Sequence, residues 1–212
     1  MRIVYFGTPE FAVPALQELL ASPHSVAALV SQPDRPRGRG HKLQPTATKV
    51  VAETAGIPVL QPTRLKDETF LSTLAAFHAD LGVVAAYGRI LPDAVLLLPR
   101  LGMINIHASL LPRYRGAAPV HRAVINGDAM TGVSIMQIVS ELDAGPVYRT
   151  AEHPIGPNDT TPEIEEALAA LGGRLVMEVI NDLDRATAVA VPQDHTKATF
   201  APKIEKHEGA ID

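Results

Sequence analysis

The sequence contains no cysteine and no tryptophan, and only 4% of its 212 residues are aromatic. Without cysteine there is no disulfide, no thiolate nucleophile and no thiol metal ligand, a usage that fits a reducing compartment. No apolar run approaches the roughly 18 residues that a membrane-spanning helix requires. The opening Met1-Arg2-Ile3-Val4-Tyr5-Phe6 is too short for a signal h-region and runs straight into a turn, so a cytoplasmic location away from membranes is expected. The formal charge of −4 is small, which excludes bulk nucleic-acid binding by the whole surface. Two phosphate signatures are missing as well. No G-x-G-x-x-G follows the first strand, and no G-x-x-x-x-G-K-[ST] occurs anywhere. The eight histidines include no H-x-x-x-H pair, so no metal is expected.

What is present is apolar and regularly punctuated. With 46% hydrophobic residues the chain can bury one large α/β core, with or without a small appendage. Strands are expected at 3–6, 25–30, 59–60 and 81–86, the last a continuous apolar run suited to a parallel strand covered on both faces. Between them, helices are expected from Thr8 (N-cap) with Pro9 at the first helical position to about Leu20, from Pro45 to Ala55, and from Asp67 to His78. A short helix is expected at 94–98, and another from Pro119 to Asn126 stopped by Gly127. Strands 131–139 and 146–155 are joined too closely for a parallel crossover and should pair antiparallel. Thr160 or Thr161 caps a long helix to about Leu183.

The most informative stretch is Gly102 to Gly116. Met103, Asn105 and His107 alternate with Ile104 and Ile106, the period of a strand with one buried face. Asn105 and His107 therefore project to one side at the strand's end, where open α/β sheets bind ligands. An amide beside an imidazole can hydrogen-bond a carbonyl oxygen. Alternatively, Asn105 caps a turn and His107 is an ordinary surface histidine. Further on, Asp143 sits in the turn Leu142-Asp143-Ala144-Gly145-Pro146 between two strands.

A second feature is Gln32 to Pro45, where Asp34 is outnumbered by Arg35, Arg37, Arg39 and Lys42, giving +3 in an acidic chain. Its glycines and prolines exclude a helix or central strand, so an exposed, mobile loop is expected. It is either merely solvated or an arm that orders against nucleic-acid phosphates.

Taken together, the strand with N-x-H, the following S-L-L-P and the later D-A-G-P resemble the folate-dependent formyltransferase family, over almost the whole chain. The resemblance implies an α/β, Rossmann-like mixed sheet, mostly parallel with antiparallel strands toward the C-terminal half. It implies 10-formyltetrahydrofolate as co-substrate and Asn105, His107 and Asp143 as the catalytic group. Asp143 would orient the imidazole, favour its charged form or relay a proton through water. The folate site carried over is Arg89, Ile90 and Leu91 after the fourth strand, with Ser109, Leu110, Leu111 and Pro112, whose proline bond the family makes cis. Read without the resemblance, Ile90 and Leu91 are core and Arg89 a surface charge. Arg113 and Arg115 are either solvated or phosphate contacts.

The run P-D-R-P-x-G-R-G-x-K-L is similar to the loop that tRNA-formylating members insert after their second strand. This implies methionyl-initiator tRNA as acceptor, with Arg35, Arg37, Arg39 and Lys42 as its contacts and Arg39 foremost. Same-fold enzymes acting on glycinamide ribonucleotide, a sugar amine or water, and a folate- or RNA-binding module without turnover, are the alternatives. The final stretch, Phe200 to Asp212, resembles the segment that closes the family's catalytic domain just ahead of a linker. Residues 1–206 are thus expected to form that domain, with 207–212 starting a linker toward a barrel domain absent from the sequence. A monomer is expected.

Overall fold

The apolar runs pair into one seven-stranded sheet in the computed structural model, which describes residues 1–37 and 42–209. The strands are β1 (Arg2–Gly7), β2 (Ser25–Val30), the two-stranded ribbon β3 (Arg35–Arg37) and β4 (Lys42–Gln44), β5 (Val59–Leu60), β6 (Leu81–Ala85), β7 (Met103–His107), β8 (Met130–Gln137) and β9 (Val147–Pro154). The order in the sheet is β5-β2-β1-β6-β7-β8-β9. Pairing is parallel from β5 to β7 and antiparallel from β7 to β9, the mixed sheet expected from the sequence. The helices are α1 (Val13–Leu20), α2 (Ala47–Thr54), α3 (Glu68–Ala75), α4 (Asp93–Leu96), α5 (Pro119–Ile125) and α6 (Thr161–Asp184).

Two hydrophobic layers cover the two faces. One packs Ile104 and Ile106 of β7 with Leu16 and Leu19 of α1 and Leu168 and Val176 of α6. The other packs Met103 with Phe6, Phe70 of α3 and Val95 of α4. β7 is thus buried on both faces, not on one as its alternation suggested. A polar residue on a central strand is covered by whatever lies over it, and here that is loop as well as helix. β6 is buried at all five positions, as its continuous apolar run required.

Local signals govern where nothing distant competes. Asp67 caps α3 by accepting from Phe70 N–H at 3.1 Å, and the Glu163 carboxylate accepts from the Thr160 N–H and hydroxyl in front of α6. Thr8 departs from the expected N-cap. The first turn is a 3₁₀ turn capped by Pro9. The Thr8 hydroxyl instead donates to the Tyr87 carbonyl at 3.2 Å and accepts from Gln32 N–H at 3.3 Å, tying together the carboxyl ends of β1, β2 and β6. The expected loop at 32–45 is also revised, because residues 35–37 and 42–44 form a ribbon outside the main sheet. Pro36 is tolerated there because a two-stranded ribbon leaves outer edges that need no N–H. Among the described residues no helix is long and apolar enough to cross a membrane.

Candidate active site

Register places the site. Along β7, Asn105 lies opposite Met136 and His107 opposite Ser134 of β8, so both polar side chains share one face, about 6.6 Å apart by strand rise. The loop 108–118 and the β8–β9 connection, which folds back from Gln137, close over that face. Among the described residues the Asn105 side chain makes no hydrogen bond within the protein and stays partly accessible, so its amide can serve a ligand.

His107 is buried, which removes the surface-histidine alternative. Its Nε2 lies 2.9 Å from the Tyr114 carbonyl. A carbonyl oxygen only accepts, so Nε2 must carry a hydrogen, and in the neutral ring Nδ1 is the bare, basic nitrogen. Nδ1 faces the Asp143 carboxylate at 3.7 Å, too far for a direct hydrogen bond. With a neutral ring both groups are acceptors, and only a donor shared by the two could link them. With a protonated ring they form an ion pair. The Tyr114 carbonyl thus holds the imidazole directly through Nε2.

Asp143 is itself held in an uncommon conformation. Its φ is +46°, in the left-handed region that non-glycine residues rarely occupy. Its Oδ2 accepts from Gly116 N–H at 2.8 Å, and the Gln193 side-chain amide donates to its carbonyl at 2.9 Å. Of the three residues the sequence brought to notice, His107 and Asp143 face each other, and Asn105 lies two positions before His107 on the same face of β7.

The loop after His107 is braced by one hydroxyl. Ser134 Oγ donates to the Ser109 carbonyl at 2.7 Å and accepts from Leu111 N–H at 3.0 Å. Ser109 is buried and its own hydroxyl donates to the Arg113 carbonyl at 2.6 Å, so it shapes the loop from inside. Leu110 packs on Gly132, where a β-carbon would lie 2.5 Å from the Leu110 side chain. The Leu111–Pro112 bond is cis. After β6, Ala86 and Gly88 both have positive φ, which turns the chain out over the sheet edge. Ile90 is 83% exposed, contrary to the reading of it as core, whereas Leu91 is buried in the α3–α4 layer. Arg89 is exposed and donates to the Thr63 carbonyl at 2.9 Å. Burial without a partner pushes the Tyr87 hydroxyl up to about 12.

Arg115 is no solvated loop charge. It is 2% exposed, its Nε and Nη2 donate to Gln193 Oε1 at 3.1 and 2.7 Å, and Glu141 stands 3.7 Å away. Arg113 is exposed and pairs with Asp128 at 2.9 Å.

Of the basic group, Arg35 lies exposed on the ribbon. Arg39 is outside the described residues, as are the side chains of Arg37 and Lys42, although their backbones pair across the ribbon. Asp34 is committed to α2 at the ribbon's base. Lys49 approaches it at 2.6 Å and Gln61 donates to it at 2.7 Å, and these bonds hold its carboxyl below the ordinary value. Among the described residues no group of three or more His, Asp or Glu side chains could hold a metal ion.

Sequence reading missed Ser134, Tyr114 and Gln193. Tyr114 acts through a backbone carbonyl, which no residue type signals. Ser134, a lone hydroxyl on the buried strand β8, and Gln193, beyond the last helix, carried weak cues that only the register and the return of the chain make meaningful.

A family model described as formyl transferase matches residues 1–180. A methionyl-tRNA formyltransferase from Methylobacillus flagellatus is 50% identical over 213 residues, covering all of this chain and 69% of that protein. Among solved structures, glycinamide ribonucleotide transformylase 1 from Symbiobacterium toebii superposes with a TM-score of 0.74 at 23% identity, over 92% of this chain and 94% of that one. An N-formyltransferase from Helicobacter canadensis, solved with folinic acid and dTDP-3-aminofucose, gives a TM-score of 0.70 at 17% identity, over 95% and 70%. At these identities the two structures speak for the fold.

Proposed function

We propose, because this chain belongs to the formyl transferase family, that it moves a formyl group from 10-formyltetrahydrofolate to the amino group of methionyl-initiator tRNA, with Asn105, His107 and Asp143 as the catalytic group. The observation that supports the assignment of these residues is the facing of His107 Nδ1 and the Asp143 carboxylate, on the strand whose Asn105 side chain has no hydrogen-bond partner among the described residues. The identity to a methionyl-tRNA formyltransferase carries the acceptor.

The amine nitrogen attacks the formyl carbon, and negative charge develops on the formyl oxygen. The Asn105 amide, a donor that does not titrate, stabilises that oxygen, a contribution of several kcal/mol in comparable oxyanion sites. The attacking nitrogen must lose a proton and the departing folate nitrogen must gain one. Nδ1 of His107 is the available base, and Asp143 stabilises the imidazolium formed when it accepts the proton. The carbon–nitrogen bond to folate then breaks as the folate nitrogen is protonated, leaving formyl-methionine on the tRNA.

Arg89, Ile90, Leu91 and Ser109 to Pro112 make up the folate side. Exposed Ile90 and the loop backbones supply contact surface, while Leu91 and Ser109 support it from within. Arg35, Arg37, Arg39 and Lys42 form the arm that meets tRNA phosphates. Residues 1–206 act as the catalytic domain of a cytoplasmic monomer.

The test is incubation with 10-formyltetrahydrofolate and methionine-charged initiator tRNA, with glycinamide ribonucleotide and acceptor-free samples alongside. Formyl-methionine on the tRNA alone is the expected result; transfer to the small nucleotide would reassign the acceptor. Asn105→Ala or His107→Ala should lower turnover at least 100-fold while folate binding survives. Near-normal turnover in both would remove the catalytic assignment.

A further inference from the structure

We propose that Gln193 is a positioning residue for Asp143, clamping the catalytic carboxylate from a segment that lies beyond the last helix. This rests on the reading of Asp143 given above. Gln193 is buried, and its side chain meets three residues on two separate segments. Nε2 donates to the carbonyls of Asp143 at 2.9 Å and Gly145 at 2.7 Å. Oε1 accepts both bonds from Arg115. The orientation of the amide is forced, because a guanidinium only donates and carbonyls only accept.

These bonds close a ring. Gln193 joins the Asp143 backbone to Arg115, and Gly116, the next residue, donates its N–H to the Asp143 carboxylate. Backbone and side chain of Asp143 are thereby fixed relative to the loop whose Tyr114 carbonyl orients His107. A left-handed φ on an aspartate persists only where its surroundings over-determine it, and this ring does so. No other side-chain type has the length of glutamine together with two donors and an acceptor. Glutamate would satisfy Arg115 but present an acceptor to two carbonyls.

That difference supplies the test. Gln193→Glu keeps a partner for the buried Arg115, and so the fold, but loses both bonds to the 143–145 turn. Its kcat should fall about 30-fold with KM for tRNA and folate within about twofold, since misplacing a reacting group costs turnover more than binding. In the background of Asp143→Asn, Gln193→Glu should cost less than about twofold more, because both changes act through one group. Gln193→Asn, which keeps the amide but is one methylene too short to span the turn and Arg115 together, is placed in the same cycle and decides the matter should the glutamate variant fold poorly. Wild-type kcat in Gln193→Glu, or losses that simply multiply with Asp143→Asn, would overturn the inference and leave the active-site reading standing. Wild-type turnover in Asp143→Asn alone would instead overturn that reading.

Discussion

Ser134→Ala should be costly far beyond the size of the change. Ser134 is fully buried, and its hydroxyl is the partner of both the Ser109 carbonyl and the Leu111 N–H. Alanine fills nearly the same space, so packing is little altered and the cost is that of two backbone groups left without a partner. Each unsatisfied buried group costs about 1–3 kcal/mol. The Ser109 carbonyl is enclosed, whereas the Leu111 N–H lies nearer solvent and can recover some hydration, which puts the total at about 3 kcal/mol. That is more than a hundredfold in the ratio of folded to unfolded chain. With a urea slope of about 2.5 kcal/mol/M for a chain of this size, the midpoint should drop by about 1.2 M at unchanged slope. Thr150→Ala, on exposed Thr150 directly across on β9, is the control and should stay within about 0.5 kcal/mol. Because the released segment is the proposed folate loop, KM for folate should rise in Ser134→Ala as well. A midpoint shift below about 0.2 M would show that the loop does not depend on this hydroxyl.

Three further outcomes are expected. Gly116→Ala puts a β-carbon 2.9 Å from the Ala201 carbonyl at φ +117°, so it should cost about 1–3 kcal/mol by urea titration and slow turnover by displacing the N–H that holds Asp143; unchanged rate and stability would count against that brace. Asp34 is depressed by its bonds to Lys49 and Gln61, so its contribution is present above the unfolded pKa and is lost as pH falls through the lower folded value. The stability gap between wild type and Asp34→Asn should therefore narrow as pH is lowered from about 4, and a gap independent of pH would refute the pairing. Arg39→Ala and Arg35→Ala should each weaken use of tRNA and flatten the log–log salt dependence by roughly 0.7–0.9 for each phosphate no longer neutralised, with an unaltered slope removing the arm's role.

Much of the sheet was readable because its strands are apolar in runs or alternations that only a covered sheet explains. β6 and β7 are the clearest cases. Asn105 and His107 came to notice because they sit two apart on one strand, where spacing translates directly into direction, whereas the tight turn holding Asp143 gained meaning only from the resemblance to the family. Thr8 misled because a sound local capping rule was overridden by bonds to Tyr87 and Gln32, which lie far off in the chain. Arg115 looked like a loop charge because nothing near it in sequence announces Gln193. Tyr114 was invisible as an orienter because its carbonyl, not its ring, does the orienting.

The segment that supplies Gln193 also lies along the loop that carries Tyr114 and Arg115. Thr199 Oγ1 accepts from Tyr114 N–H, the Thr199 carbonyl accepts from Arg115 N–H, and the Arg115 carbonyl accepts from Ala201 N–H. The consequence is one of timing. A growing chain has all seven strands of the sheet once Pro154 has emerged, and α6 is complete at Asp184. The partners that set the loop carrying Tyr114 arrive only afterwards. The strands and α6 therefore leave the ribosome before the segment that holds the loop carrying Tyr114. Until that segment has emerged, the Tyr114 N–H and the Arg115 N–H and carbonyl lack the partners they have in the complete fold.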